Sequence, residues 1–257
     1  FKRAELRFPV DLAASGMTVG YGAQPALLTQ KLNLNSFDPG ERKRAVDQVK
    51  ACADEAAGVG ATALAVLSGP DPGERREEAM RLLIESLREL AGYCKGKGLR
   101  LVLESFDAKY DKKCLIGPHK DALTVCKALR KDFPEFGIMV DLSHLPIQEE
   151  SPKKAFGVLK KANIAHIHIG NSVKRAGHSA YDDQHPRFGL PGGENDAPQL
   201  AEFLRALRRI ADEREAMLIF DEVQSGFGVT GKMWAYEQYG VEPDMVAFSK
   251  KAQVGGF

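Results

Sequence analysis

The chain has 257 residues, 44% of them apolar and 28% charged, with 25 Gly and 13 Pro. This composition excludes a collagen, a coiled coil and wholesale disorder. Lys and Arg total 36 against 35 Asp and Glu, a formal charge of +1, which argues against a nucleic-acid partner. No apolar run approaches the roughly 20 residues of a membrane span.

Short apolar runs alternate with longer amphipathic ones, which predicts an α/β fold with a parallel sheet. In chain order the expected strands are 17–22, 62–67, 99–104, 137–142, 164–169 and 217–222, with a seventh apolar run at 245–248. Several are almost continuously apolar, as strands covered on both faces are. Helices are expected at 41–57, 74–95, 118–131, 152–161, 197–213 and 232–239. In the second of these, Ala79, Leu83, Leu87 and Leu90 recur at helical spacing. The chain length is close to that of one (β/α)₈ barrel or one large α/β domain.

Cys52, Cys94, Cys114 and Cys126 form no C-x-x-C pair and no signal peptide precedes them, so reduced thiols in a cytoplasmic protein are expected. Five of the six histidines fall between His144 and His185. The stretch from Asn171 to Asp196 is the longest without periodicity; it is polar and glycine-rich and follows a strand, where α/β folds place binding residues.

Four expected strands end in potential ligands. Glu104 ends the run LVLE. Asp141 ends IMVD, with His144 three residues later. His166 and His168 stand two apart in IAHIHIG, and Asp221 and Glu222 end LIFDE. In a parallel barrel the carboxyl ends of strands converge on one rim. Carboxylates with an imidazole suit a divalent cation such as Mn²⁺, Mg²⁺, Co²⁺ or Zn²⁺. Singly, each has a plainer reading: Asp141 could cap a helix and Glu104 could form a rim ion pair. The joint pattern is harder to explain in that way.

The segments LVLESFD (101–107), IMVDLSHLP (138–146), IAHIHIGN (164–171) and HPRFGLPGGEND (185–196) resemble the xylose-isomerase-like barrels. That family includes sugar and sugar-phosphate isomerases, ketose 3-epimerases and apurinic-site endonucleases. The resemblance runs over about 15–213. It implies a TIM-barrel-like (β/α) fold, two βα units short at its start, and a metal held by Glu104, Asp141, His168 and Glu222. His144 resembles the family's substrate-contacting or second-metal histidine. Asp183 and His185 resemble the D-x-H that completes a multinuclear site in the endonuclease branch. Lys174 stands where epimerases place a basic substrate contact. The implied reaction is proton transfer beside a metal-polarised carbonyl, with Glu104 and Glu222 as base and acid on a sugar or sugar phosphate. Apurinic-site cleavage gains from Asp183 and His185, and loses from the neutral charge.

The segment 218–257, LIFDEVQSGFGVTGKMWAYEQYGVEPDMVAFSKKAQVGGF, resembles class III pyridoxal-phosphate aminotransferases, in particular the 4-aminobutyrate and lysine ε-aminotransferase group. There the implied cofactor contacts are Asp221 at the pyridine nitrogen, Gln224 near the phenolic oxygen and Lys251 as the Schiff-base lysine. The family's phosphate-binding segment, stacking aromatic residue and C-terminal domain have no counterpart in this sequence. Two parts are therefore expected: 1–215 as a partial barrel, and 216–257 as a grafted strand-helix-strand. That segment would complete or flank the barrel; in the first case LIFDEV serves as the last barrel strand, with Glu222 at its end. A barrel left open would favour homo-oligomers. A non-catalytic chimera is the remaining alternative.

Overall fold

The computed structural model describes residues 18–222 and 225–248. They fall into two compact units. The first takes the chain up to Val140 together with Ala162–His166; the second takes Asp141–Lys161 and the chain from Ile167 onward. The family boundary expected near residue 215 thus lies inside the second unit.

The first unit is built on a five-stranded sheet: β1 (Val19–Gly22), β2 (Ala61–Val66), β3 (Arg100–Glu104), β4 (Gly137–Asp141) and β5 (Ile164–His168), neighbours in that order. The pairings β1–β2, β2–β3 and β3–β4 are parallel. Between the strands run α1 (Gln24–Thr29), α2 (Pro39–Gly58), α3 (Arg76–Gly96) and α4 (His119–Leu129). This is the βα repeat of a TIM barrel. Every strand read from the sequence is present, shifted by at most two residues.

The two faces of this sheet carry different residues. Leu64, Val66, Leu101, Leu103, Ile138 and Val140 are buried. Truncating one such leucine to alanine is expected to cost about 2–5 kcal/mol. At the alternate positions Ala65, Val102 and Met139 cluster, with Ala63 and Ala165 packed on them. Glu104 continues the alternation of Val102, and Asp141 that of Met139. Gly137 is needed where β4 meets β5, because a Cβ there would lie 2.2 Å from that of Ala165.

Local sequence explains the helices. Asp38 caps α2 by accepting from Glu41 N at 2.6 Å, and Pro39 supplies a preset φ in the first turn. α3 buries Ala79, Leu82, Leu83, Ser86, Leu87, Leu90, Ala91 and Cys94, one stripe at three-to-four spacing.

The second unit contains α5 (His144–Ile147), α6 (Pro152–Leu159), α7 (Ala197–Glu213), β6 (Ile219–Asp221) and β7 (Met245–Ala247). Asp196 and Gln199 cap α7 reciprocally, and its bounds match the sequence expectation. α6 and α7 pack through Phe156 and Phe203, whose ring centroids are 5.1 Å apart.

The expected last barrel strand has a different partner. β6 pairs in parallel with β7, Ile219 opposite Met245, and the two form their own sheet. The Asp244 carboxylate accepts from Leu218 N at 2.6 Å and from Arg208 of α7 at 2.6 Å, while Asp244 N donates to Leu218 O at 2.8 Å. These bonds tie both strands to α7. The helix expected at 232–239 is a short 3-10 turn, Ala235–Gln238. Gly231 and Gly240, both at positive φ, bracket this segment, and Trp234 within it is extended (φ −119°, ψ 143°), so the turn starts only at Ala235.

Candidate metal centre

β4 ends at Asp141 and turns at once into α5, so that Ser143 folds back on the aspartate. Ser143 N donates to Asp141 Oδ1 at 2.7 Å and Ser143 Oγ to the same oxygen at 2.5 Å. Asp141 Oδ2 is buried and has no hydrogen-bond partner. Two imidazole nitrogens stand near it, His168 Nδ1 at 3.4 Å and His185 Nε2 at 3.8 Å.

A second carboxylate lies beside the first. Asp183 Oδ1 is 2.9 Å from His185 Nε2 and 3.2 Å from His144 Nε2. The rings of His144 and His185 meet edge to face at 5.9 Å. Asp141, His144 and His185 each offer one ligand atom, all within 4.8 Å of one another.

The electrostatics follow from this crowding. Burial pushes the Asp141 carboxyl up, but the His168 imidazole, the charge of His144 and the Ser143 bonds outweigh it and hold it at about 2. Asp183 likewise lies well below the usual carboxylate range, with burial opposed by His144 and His185. The bond to Asp183 raises His185, against its own burial.

The loop 171–196 is held by asparagines. Asn171 Oδ1 accepts from Ser172 N at 2.9 Å and Asn195 N at 2.8 Å. Asn195 Nδ2 donates to Leu142 O at 2.8 Å and Gly170 O at 3.2 Å, joining the ends of β4 and β5 to the loop. Gly193 admits Asn171: a Cβ there would sit 2.4 Å from Asn171 Nδ2. Asp182 and His185, on either side of Asp183, both adopt left-handed φ, 80° and 47°. Strained non-glycine backbone of this kind collects at functional sites.

The second unit thus brings together Asp141, His144, His168, Asp183 and His185. Lys174 is half-buried and pairs with Glu194 at 3.2 Å. Glu222 is buried behind β6, where Tyr236 N donates to its Oε1 at 2.8 Å and the Ser225 hydroxyl to its Oε2. In the first unit, Glu104 ends β3 in a buried position, and Gln24 Nε2 donates to its Oε2 at 2.7 Å. Asp221 is the last residue of β6. Gln224 and Lys251 lie outside the described residues. All four cysteines are buried free thiols, and burial pushes Cys94 and Cys114 up to about 12, which makes them inert. Ser143, Asn171 and Asn195 were not singled out by the sequence; D-x-S-H immediately after a strand is the one local signal that could have found Ser143.

These side chains fit a divalent cation. Ligand atoms on an ion with bonds of about 2.1 Å stand about 3.0–3.4 Å apart, and the 3.4 Å between Asp141 Oδ2 and His168 Nδ1 lies in that range without being a hydrogen bond. A bare buried carboxylate oxygen facing imidazoles is the donor set for Zn²⁺, Mn²⁺ or Co²⁺.

A parallel βα sheet whose strands end in carboxylate and imidazole residues defines a TIM-barrel-like class. The model of the family described as xylose isomerase-like TIM barrel matches residues 10–216, and the chain belongs to that family. Its solved structural neighbours include a D-tagatose 3-epimerase-like protein, with TM-score 0.61 and 19% identity, covering 77% of this chain and 69% of that one. D-psicose 3-epimerase, solved in the presence of D-fructose, gives 0.57 and 16%, covering 77% and 62%. The IOLI protein, solved with a bound zinc atom, gives 0.58 and 15%, covering 78% and 68%. At these identities the likeness is one of fold.

A model described as aminotransferase class-III matches residues 191–257. L-lysine-epsilon aminotransferase of Mycobacterium tuberculosis is 60% identical over 67 residues, which is 26% of this chain and 15% of that enzyme. The enzyme of Streptomyces clavuligerus is 54% identical over 65 residues, 25% and 14%. The chain therefore spans only a small part of these relatives. The class-III match begins at 191 and takes in α7, while the barrel match runs to 216. The two matches overlap over 191–216, and an amphipathic helix such as APQLAEFLRALRRIADE suits either family. Among the described residues no helix is long and apolar enough to cross a membrane.

Proposed function

We propose that the chain is a divalent-metal-dependent isomerase or epimerase acting on a sugar or sugar phosphate. Glu104, Asp141 and His168 are the proposed metal ligands, and His144, Asp183 and His185 a second metal or substrate set. The observation that carries this reading is the buried Asp141 Oδ2, without a hydrogen-bond partner and faced by His168 and His185. Strand register supports Glu104, whose Cα partner on β4 is Met139, two residues before Asp141. Family membership and the ketose epimerases among the structural neighbours point to the substrate class.

When bound, the cation would polarise a ketose carbonyl and acidify the adjacent C–H. Asp141 stays ionised to hold it, since its carboxyl lies at about 2. Glu104 takes the proton from one face of the substrate. Glu222 is the proposed acid for the other face, and it acts there only after releasing Ser225 and Tyr236 N. Lys174 exchanges Glu194 for a substrate hydroxyl or phosphate.

Elemental analysis of the purified chain and Mn²⁺ or Zn²⁺ titration test the metal. About one ion per chain is expected, together with exchange of solvent deuterium into D-fructose or D-tagatose. A chain that binds no divalent metal overturns the reading.

The 60% identity over 67 residues supports a second reading, a pyridoxal-phosphate site using Asp221, Gln224 and Lys251. It requires a cofactor absorbance band on adding pyridoxal phosphate that Lys251→Ala abolishes. With only 15% of the relative's length present, the expected result is no band.

A further inference from the structure

Beside Glu104, in the first unit, an amide side chain has one end engaged and the other bare. Gln24 stands two residues past β1 and opens α1. Its Nε2 donates to Glu104 Oε2 at 2.7 Å. Its Oε1 is buried and has no hydrogen-bond partner. Chemistry fixes the orientation of the amide: turned over, it would oppose a carbonyl oxygen to a carboxylate oxygen with no proton between them. Gly22 makes room for it, since a Cβ at that position would come within 2.9 Å of Gln24 Oε1. Buried acceptors are otherwise almost always satisfied. An unsatisfied one whose other end grips a candidate catalytic carboxylate fits a ligand contact better than a packing fault.

We infer that Gln24 both positions Glu104 and accepts a hydrogen bond from a substrate hydroxyl, so that the turn between β1 and α1 is a specificity element for a polyhydroxylated ketose. The inference rests on the proposed function and adds to it a substrate contact and its polarity. The donor end of the amide fixes the Glu104 carboxylate in one rotamer, the pre-orientation that proton abstraction demands. The acceptor end can only receive a proton. It selects a hydroxyl over a keto oxygen or a hydrogen at the carbon it faces, because a ligand without that hydroxyl leaves it bare.

The experiment uses the full chain loaded with Mn²⁺, with D-fructose and the set of monodeoxy-D-fructoses as probes in calorimetric titrations. Wild-type protein is expected to lose about tenfold or more in affinity for one monodeoxy sugar. Gln24→Met is expected to bind Mn²⁺ within about threefold of wild type and D-fructose about tenfold more weakly, and no longer to distinguish that monodeoxy sugar from D-fructose. Gly22→Ala, which keeps Gln24 but displaces its amide, is expected to blunt the same discrimination and serves if the Gln24 variant fails to fold. Discrimination that survives intact in the variants overturns the inference and leaves the proposed function standing. Loss of Mn²⁺ affinity beyond tenfold in Gln24→Met overturns the substrate contact, because the amide would then act only on metal ligation through Glu104. Wild-type protein that binds no Mn²⁺ overturns both.

Discussion

Asp141 and Glu222 are both acids at or just past the end of an apolar strand, and both are almost fully buried, at 1% and 2% exposure. Their surroundings differ. Asp141 has two donors from Ser143 on one oxygen, while the other is bare among imidazoles. Glu222 has a donor on each oxygen, Tyr236 N and the Ser225 hydroxyl, both from the segment that follows it. A buried carboxylate is costly unless its lone pairs are met. In Glu222 the chain meets them itself and closes a turn. In Asp141 it meets half, and the second oxygen is left for the proposed cation. The same pattern, apolar strand then acid, is thus satisfied within the chain in one place and left half-open in the other.

The largest expected effect follows directly. Asp141→Asn keeps an acceptor for Ser143 but removes the charge that faces His168 and His185. Zn²⁺ or Mn²⁺ affinity, read by titration calorimetry, should fall by at least about 100-fold, more than is usual for groups that only support a ligand. Affinity within threefold of wild type would show that Asp141 is not the ligand and would erase the contrast with Glu222.

Ser143 sharpens the comparison by one step. Ser143→Ala leaves the backbone donor to Asp141 Oδ1 and removes the hydroxyl, which also stands 3.0 Å from His185 Nε2. Loss of a supporting bond of this kind is expected to weaken metal binding by about tenfold, with a nearly unchanged melting temperature. Ser143→Thr should restore most of it. A fall in melting temperature without a change in affinity would make Ser143 a structural residue only.

What the sequence disclosed follows the range of the forces involved. GIMVD and RLVLE announce buried strands because burial on both faces demands continuous apolar residues. The bounds of α7 were legible from its local amphipathic period, and the pair that caps it, Asp196 and Gln199, stands only three residues apart. Asp141, His144, His168, Asp183 and His185 were legible as ligand types at strand ends and in a loop. Gln24 was not, since its partner Glu104 lies 80 residues away. Asn195 was missed in the same way, its bond to Leu142 O spanning 53 residues. Whether the C-terminal strand completes or flanks the barrel was not legible, since its pairing with β7 and the Arg208–Asp244 ion pair beside it join residues 26 or more apart. Left-handed φ at Asp182 and His185 also leaves no trace in residue type, since neither is glycine.

Glu222→Gln should give the smallest effect on metal binding and so offers the cleanest way to break the comparison. The amide oxygen still accepts from Tyr236 N and the amide nitrogen donates to Ser225 Oγ, which turns from donor to acceptor, so what is lost is the charge on both bonds. The loss of that charge at a buried position is expected to cost about 1–3 kcal/mol, seen as a lower denaturation midpoint of the second unit. Zn²⁺ or Mn²⁺ affinity should stay within about threefold of wild type, since Ser225 and Tyr236, not a cation, satisfy this carboxylate. A drop in affinity as large as that of Asp141→Asn, with stability intact, would mean that Glu222 leaves its turn and joins the ligands. The two strand-end acids would then share one duty, as their matching sequence pattern first suggested, and β6 would have to be counted with the barrel strands in the metal-bound protein.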